Sequence, residues 1–212
     1  VYNGVDATFS PGESDEAAAL VRGRWGFEGE YLLFVGTLEP RKNLVGLLDA
    51  VAELVERGRF DGTVLVVGGA GWGASGVEER LARPALASRV VRAGFVEAEE
   101  LPRLYRGARL FVLPSLYEGF GLPILEAMAS GTPVVCSSRD PFPEVAGEAA
   151  VLADIERPGG LAEAIERAWY DDELRERLRR EGLERARGFG WRQSAERLRQ
   201  VMAELLSEGS AQ

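Results

Sequence analysis

The chain has 212 residues, with 25 basic and 34 acidic side chains and a net charge of −9. This length suffices for one well-buried α/β domain of roughly 200 residues. The acidic balance argues against nucleic acid or an anionic membrane surface as a direct partner. The sequence contains no histidine, which excludes Ser-His-Asp and Cys-His catalysis within this chain and removes the usual metal ligand.

Cys136 is the only cysteine, so no internal disulfide can form, and we expect a reducing, cytoplasmic compartment. It lies in the apolar run 133–136 and is interpreted as a core residue rather than a nucleophile. No apolar run reaches ~18 residues, so the sequence predicts no membrane span, and it shows no signal peptide. Because the chain begins at Val1, we expect a fragment of a longer protein.

Apolar segments and amphipathic segments alternate along the chain. The helical patterns cover 15–24, 43–57, 75–87, 97–106 and 123–130, and the apolar runs cover 31–36, 63–67, 90–94, 109–113, 133–136 and 150–153. Continuous apolar runs are typical of a parallel sheet that is covered on both faces. The sequence therefore predicts an α/β fold: a Rossmann-like, doubly wound parallel sheet of about six strands, with helices on both faces and a helical C-terminal tail.

The last third of the chain predicts three helices, over 159–170, 172–187 and 192–206. The middle one is dense in Glu and Arg, which indicates a solvated face. The final one carries Leu198, Val201, Met202 and Leu205 on one side. We interpret this apolar stripe as core packing in preference to partner docking.

Functional residues are expected in the loops that follow the strands, because ligands of open α/β sheets bind outside the carboxyl ends of the strands. The loop after the first strand begins with Gly36, which permits close backbone approach. Arg41 and Lys42 then place two cations beside a helix start that Asn43 caps. This loop is a candidate diphosphate clamp, and a solvated basic loop is an equal alternative on charge alone.

The next two loops give weaker signals. Residues 68–74 contain the pattern G-x-G-x-x-A, but the acid that a dinucleotide site needs ~20 residues later is missing. These glycines are interpreted as a turn near the ligand rather than an NAD site. After the third strand, Phe95 and Val96 form an apolar pair that could hold a nucleobase or could equally pack in the core.

The loop after the fourth strand carries Glu118 and Glu126, eight positions apart. Gly119 and Gly121 leave backbone N–H groups accessible between them, and a helix is predicted to open at Pro123. A carboxylate can accept both hydroxyls of a vicinal diol, so Glu126 suits a ribose. The alternative, two unrelated surface acids, is disfavoured by the glycines and the helix start.

No Asp-x-Asp pair occurs, so no metal site is predicted. In a site without a metal, phosphate charge must be offset by Arg, Lys and helix dipoles.

In this order, the segments resemble the C-terminal, donor-binding half of a family-4 retaining glycosyltransferase of the GT-B fold, also called glycosyl transferases group 1. The strongest element is 114–126, which resembles the E-x7-E motif of that family. The other matching segments are the linker 3–6 and the stretches 34–43, 94–96, 131–135 and 189–191.

The resemblance implies a nucleotide-diphosphate sugar, UDP- or GDP-linked, as substrate, with no tightly bound cofactor. It implies that Arg41 and Lys42 hold the diphosphate, that Glu126 binds the ribose, and that Glu118 contacts the transferred sugar. The remaining implied donor-binding residues are Gly36, Thr37, Phe95, Val96, Gly119, Phe120, Gly121 and Leu122. Thr37 stands where many relatives carry arginine, so that either Arg41 takes over this role or the phosphate is held less tightly. The linker proline of many relatives is replaced by Tyr2.

The same resemblance implies a hexosyltransferase of bacterial-type polysaccharide biosynthesis that uses a glycan or lipid acceptor. It divides the chain into a linker from a missing N-terminal Rossmann domain (1–30), a donor-binding domain (31–190) and a C-terminal helix (191–212). We expect the fragment to be inactive alone, and we assign any peripheral membrane contact to the missing half. The alternatives are a non-catalytic nucleotide-sugar binding module, half of a GT-B epimerase, and an NAD-dependent oxidoreductase.

Overall fold

The computed structural model describes residues 1–69, 71 and 75–209 and centres on a six-stranded sheet. The strands are β1 (Tyr31–Val35), β2 (Thr63–Val67), β3 (Val90–Gly94), β4 (Leu110–Leu113), β5 (Val134–Ser137) and β6 (Val151–Ala153). All neighbours pair in parallel, in the order β3-β2-β1-β4-β5-β6. This topology confirms the predicted Rossmann-like sheet. Strand order reverses between β1 and β4, which is where such sheets bind ligands.

The apolar runs form strands because the sheet is covered on both faces. Every residue of β2, β4 and β5 is buried, whereas the edge strands β3 and β6 are partly exposed. Cys136 lies inside β5 with no exposed surface, which confirms its interpretation as a core residue, and burial raises the pKa of its thiol.

Helices cover the sheet and continue beyond it. They are α1 (Ser14–Trp25), α2 (Leu44–Glu56), α3 (Ser75–Leu81), α4 (Leu101–Gly107), α5 (Leu122–Ala129), α6 (Phe142–Ala146), α7 (Gly160–Tyr170), α8 (Asp172–Arg187) and α9 (Trp191–Gly209). α2 packs against α7, α5 against α8, and α1 against α4. Within the described part of the chain, no helix is long and apolar enough to cross a bilayer.

Several local features differ from the prediction, among them the helix predicted over 97–106, which is Leu101–Gly107 in the structure. The helix predicted over 75–87 ends at Leu81, ahead of Pro84, which has no N–H to continue the helical ladder. The one-turn 3-10 helix Pro40–Lys42 and the five-residue α6 were not predicted. Each of them is too short to show a hydrophobic period and begins beside a proline.

The final helix departs from its predicted role. Leu198, Met202 and Leu205 are all at least half exposed, and only Val201 is partly buried. The interpretation of this stripe as core packing within the chain is therefore wrong. The periodicity correctly predicted a one-sided helix, but periodicity alone cannot say which surface covers the apolar side.

The start of the chain and the start of α9 lie side by side. The N–H of Val5 donates to the carbonyl oxygen of Phe189 at 2.7 Å, and Val5 forms a parallel bridge with Gly190. A Cβ placed on Gly4 would lie 2.3 Å from the nitrogen of Trp191, so only glycine fits there. The division of the chain at residues 30 and 190 stays a prediction.

Candidate functional site

The loops that follow β1 and β4 meet at the point where the strand order reverses. The N–H of Leu116 donates to the carbonyl oxygen of Arg41 at 2.7 Å. The side-chain amide of Asn43 donates to the carbonyl oxygen of Pro114 at 3.1 Å. These two contacts hold the loop of Arg41 and Lys42 against the loop of Glu118, so the candidate residues of both loops share one site.

Glu118 is the centre of a compact charged cluster. Its Oε1 accepts from Lys42 Nζ at 2.5 Å and from the hydroxyl of Ser115 at 2.9 Å, and its Oε2 accepts from Arg41 Nη1 at 3.0 Å. The Lys42 and Glu118 side chains are only 9% and 8% exposed. Lys42 is also the only lysine in the chain. A buried carboxylate is tolerated here because three donors satisfy it.

The backbone of the first loop explains how a lysine comes to be buried. The 3-10 turn Pro40–Lys42 ends at Asn43, whose φ of 55° lies in the left-handed region that asparagine tolerates. The Asn43 side chain then accepts from the N–H of Gly46 and caps α2. A Cβ on Gly36 would lie 3.3 Å from Cδ of Lys42, so the bare glycine leaves room for the lysine stem.

Arg41 lies at the outer side of this cluster. Its Nε donates to Glu39 Oε2 at 2.7 Å in addition to the bond with Glu118, and its side chain is 40% exposed. Burial lowers the pKa of the guanidinium, and the two carboxylates raise it by more. Both cations of the loop therefore already have carboxylate partners, and Arg41 is the more accessible of the two.

Glu126 lies nearby on α5 and is held by a residue that the sequence analysis missed. The hydroxyl of Tyr105, on α4, donates to Glu126 Oε2 at 2.8 Å. Burial raises the pKa of Glu126, while the Tyr105 bond and the positive charge of Lys42 act in the opposite direction. No local pattern marks Tyr105, because the contact depends on α4 and α5 packing side by side.

The glycines between the two acids shape the start of α5. The helix begins at Leu122, one residue before the predicted position, and Gly121 precedes it with φ of 96° and no side-chain cap. The N–H groups of the first turn are therefore left without a side-chain acceptor, which favours an anion at this end. Gly119 is exposed with open space around it, whereas Phe120 packs against Tyr2 and Phe189.

The structure separates the two residues of the apolar pair after β3. Val96 is buried in the core, whereas Phe95 is 74% exposed. Core packing therefore accounts for Val96 only, and the ring of Phe95 is available to a ligand. Thr37 is also exposed.

The loop after β2 lies against the first loop. A Cβ on Gly68 would lie 2.0 Å from the carbonyl oxygen of Gly36, and the N–H of Leu38 donates to the carbonyl oxygen of Gly69. Residues 70 and 72–74 of the G-x-G-x-x-A pattern lie outside the described residues. Among the residues that the structure does describe, no three Cys, Asp or Glu side chains are grouped to hold a metal ion.

Residues 22–185 match the family model described as "Glycosyl transferases group 1". The chain belongs to this family. O-antigen chain mannosyltransferase B of Escherichia coli is 42% identical over 161 residues, which cover 76% of this chain and 42% of the relative. Family membership confirms the resemblance.

Two solved structures of other proteins share the fold of this chain over nearly its whole length. Sucrose-phosphate synthase from Thermosynechococcus elongatus superposes with a TM-score of 0.81 and 28% identity, covering 97% of this chain and 52% of that one. Anabaena HepE in complex with UDP and glucose superposes with a TM-score of 0.80 and 26% identity, covering 98% of this chain and 56% of that one. The chain therefore spans about half the length of the relatives that it matches.

Proposed function

We propose that this chain is the donor-binding half of a retaining glycosyltransferase that moves a hexose from a nucleotide-diphosphate sugar to a glycan or lipid acceptor. The observation that carries the proposal is the convergence of Arg41, Lys42 and Glu118 beside the uncapped start of α5. Family membership and the UDP and glucose found in Anabaena HepE support it. We further propose that the protein works in the cytoplasm.

In this proposal the diphosphate lies between the first loop and the start of α5. Arg41 is free to exchange its carboxylate partners for phosphate oxygens, because its side chain is partly exposed. Lys42 supplies a second, more deeply placed charge. The backbone N–H groups of Gly119, Phe120, Gly121 and Leu122 complete the cradle, and Glu118 contacts the transferred sugar. Preorganised donors of this kind stabilise the charge that develops on a leaving diphosphate.

The nucleoside is assigned to the neighbouring positions. Glu126 accepts the two ribose hydroxyls, and the Tyr105 bond fixes the direction of its carboxylate. The base lies near the backbone of Phe95 and Val96, with the exposed Phe95 ring available for stacking. Gly36 and Thr37 line the near side of the diphosphate.

The reaction itself needs a second half. The bond between the anomeric carbon and the phosphate oxygen breaks, the acceptor oxygen bonds to the same face, and its proton passes to the leaving diphosphate. Exclusion of water requires an acceptor domain that closes over the donor. We therefore propose that the chain alone binds nucleotide weakly and does not turn over, and robust transfer by this chain alone would contradict that.

Calorimetry with UDP, GDP and NADH tests the binding part of the proposal. We expect a nucleoside diphosphate to bind, and Arg41→Gln to weaken that binding about tenfold through the loss of one charge-assisted contact. Arg57→Gln is the matched control, because Arg57 is 48% exposed and also pairs with two glutamates. Binding of NADH with no response to either diphosphate would favour the oxidoreductase alternative.

Activity of the full-length protein separates an enzyme from a binding module. Glu118→Ala and Lys42→Ala are expected to abolish transfer if these residues act as proposed. Transfer that survives both changes would show that the assigned roles are wrong.

A further inference from the structure

An open cavity of about 390 Å³ lies at the amino ends of the strands. It is lined by Glu30, Arg109 and Pro133, which directly precede β1, β4 and β5. Strands of four or five residues, at about 3.3 Å per residue, put roughly 15 Å between the two edges of the sheet. The cavity is therefore separate from the candidate donor site.

Basic and acidic residues are arranged unevenly around this cavity. Four acids line it and all of them are exposed, whereas five arginines line it and all of them are partly buried. The acids are Asp15, Glu30, Asp172 and Glu176, and the arginines are Arg22, Arg106, Arg109, Arg175 and Arg179. The guanidinium groups thus lie deeper than the carboxylates, in a chain whose net charge is −9.

Two of the arginines are structural. Arg109 Nη1 pairs with Glu30 at 2.5 Å, and its Nε donates to the carbonyl oxygen of Trp169 at 3.0 Å. Arg175 Nη1 donates to the same carbonyl at 2.5 Å, and Arg175 also pairs with Asp172. Burial lowers the pKa of Arg175, and the charge of Arg109 lowers it further. Both side chains therefore bind carbonyl and carboxylate oxygens of the chain itself.

The other three arginines pair with no acid in the described part of the chain. Arg22 donates to the carbonyl oxygen of Gly29 at 3.4 Å, and Arg106 and Arg179 make no hydrogen bond to a described residue. Arg106 Nε is moreover buried and has no hydrogen-bond partner within the described ranges. Guanidinium groups that are partly desolvated and unpaired favour the binding of an anion.

Ser130 supplies an independent observation. Ser130 is 4% exposed and lines the same cavity, and its hydroxyl has no hydrogen-bond partner among the residues that the structure describes. Buried hydroxyls are normally paired, so an unpaired hydroxyl at the border of a cavity favours a polar ligand there. The N-terminal turn of α1 also has no side-chain cap, and Ser14 of that turn lines the cavity.

Two short segments, 11–12 and 130–131, lie beside Arg106 and Arg179. Gly131, next to Ser130, would carry a Cβ 3.5 Å from Arg179 Nε and 3.8 Å from Cβ of Pro11. Gly12, next to Pro11, would carry a Cβ 3.3 Å from Arg106 Nη1. The segment 11–12 therefore joins the two arginines.

We propose that this cavity binds a small phosphomonoester, with the phosphate held by Arg106, Arg179 and the hydroxyl of Ser130. The planar guanidinium fork matches phosphate oxygens in pairs, and a dianion matches the charges of the two guanidinium groups, Arg106 and Arg179, that are proposed to hold it. A cavity of this volume suits a ligand of metabolite size. The site goes beyond the proposed donor site and does not depend on it.

A titration of the ¹⁵N-labelled chain with inorganic phosphate and glycerol 3-phosphate tests the proposal, with glycerol as the uncharged control. The protein is first saturated with UDP. We expect phosphate to shift the backbone amides of Gly12 and Gly131, and UDP to shift those of Gly119 and Gly121. The two sites are thus read separately, and failure of UDP to bind would not affect the phosphate result.

Variants decide whether the cavity is the site. Arg106→Gln combined with Arg179→Gln is expected to weaken phosphate binding at least about tenfold, whereas Arg103→Gln, on the exposed side of α4, leaves it unchanged. Ser130→Ala is expected to weaken binding several-fold without lowering Tm, because the Ser130 hydroxyl makes no hydrogen bond to the described part of the chain. Phosphate shifts confined to the donor-loop glycines, or equal affinity in all variants, would overturn the proposal.

Discussion

Lys42 Nζ lies 2.5 Å from Glu118 Oε1, and both side chains are almost fully buried. The pair joins the loop after β1 to the loop after β4 at the place where the sheet order reverses. Ser115 and Arg41 also donate hydrogen bonds to the Glu118 carboxylate, and these bonds offset the cost of burying its charge. Lys42, the more deeply buried of the two cations proposed to hold a diphosphate, is thus held in place before any ligand arrives.

Removing the lysine should expose the cost of that buried carboxylate. We expect Lys42→Met to lower the free energy of unfolding by about 3 kcal/mol, because the buried Glu118 carboxylate loses its closest partner. Urea denaturation measures this loss. Adding Glu118→Gln to Lys42→Met should restore part of the stability, and a double variant less stable than the single one would contradict the account.

The bond from Tyr105 to Glu126 should matter for both stability and nucleotide affinity. We expect Tyr105→Phe to cost about 1–2 kcal/mol and to weaken nucleoside diphosphate binding several-fold, since Glu126 loses its orienting donor. Tyr31→Phe is the matched control, because Tyr31 is equally buried and donates to the carbonyl oxygen of Leu104 on the same helix. Equal affinities in the two variants would exclude a positioning role for Tyr105.

Glu126 should make stability depend on pH in a defined direction. Burial raises the pKa of Glu126 in the folded protein above the ordinary 4.5, so the folded state holds the proton more tightly than the unfolded state. Its contribution to stability therefore falls as pH rises from about 4.5 through the raised pKa. We expect Glu126→Gln to gain Tm relative to the parent protein over this range.

An acid with the opposite shift controls for that experiment. Glu163 is hydrogen-bonded and paired with Arg157, which lowers the pKa of Glu163. The stability that this pair contributes is lost as pH falls through the lowered pKa. The Tm of Glu163→Gln relative to the parent protein should therefore fall as pH rises from the lowered pKa towards 4.5, which is the opposite of the trend for Glu126→Gln.

The protonation of Glu126 should also affect nucleotide binding. If Glu126 binds ribose as a carboxylate, the affinity of the parent protein for UDP should rise as pH rises through the raised pKa of Glu126, whereas the affinity of Glu126→Gln should not change with pH.

The two glycines of the loop before α5 should respond differently to alanine. Gly121 has φ of 96°, and a Cβ there would lie 3.0 Å from Cε1 of Phe142. We expect Gly121→Ala to cost at least about 1 kcal/mol in thermal or urea unfolding. Gly119→Ala meets open space and should leave stability unchanged. A Gly121→Ala protein as stable as Gly119→Ala would mean that the left-handed turn is not required.

The sheet could be predicted from sequence because each central strand is a continuous apolar run with a loop signal at its end. The sequence 110–113 and 134–137 illustrates this, since both segments form fully buried strands. The order of strands and loops also predicts that the two cations and the two acids lie at the carboxyl edge of the sheet. It could not predict that Lys42 and Arg41 pair with Glu118, because that contact spans 76 residues or more of the chain.

The other differences between prediction and structure depend on contacts between secondary-structure elements that are distant in sequence. Tyr105 looks like any buried aromatic residue until α4 and α5 are placed side by side. The apolar stripe of α9 has the period of a packed helix, and only the tertiary structure shows that Met202 and Leu205 stay exposed. Phe95 and Val96 are adjacent in sequence, and the turn after β3 sends one outward and the other into the core.

The most direct test of the donor site uses the fact that Lys42 is the only lysine. A sample labelled with ¹⁵N-lysine gives one backbone amide signal from the loop after β1, and ¹⁵N-glycine labelling adds Gly119 and Gly121. Titration with UDP and with GDP is expected to shift the Lys42 signal and both glycine signals together, with one apparent Kd. A nucleoside diphosphate that binds while the Lys42 signal stays in place would contradict the central claim.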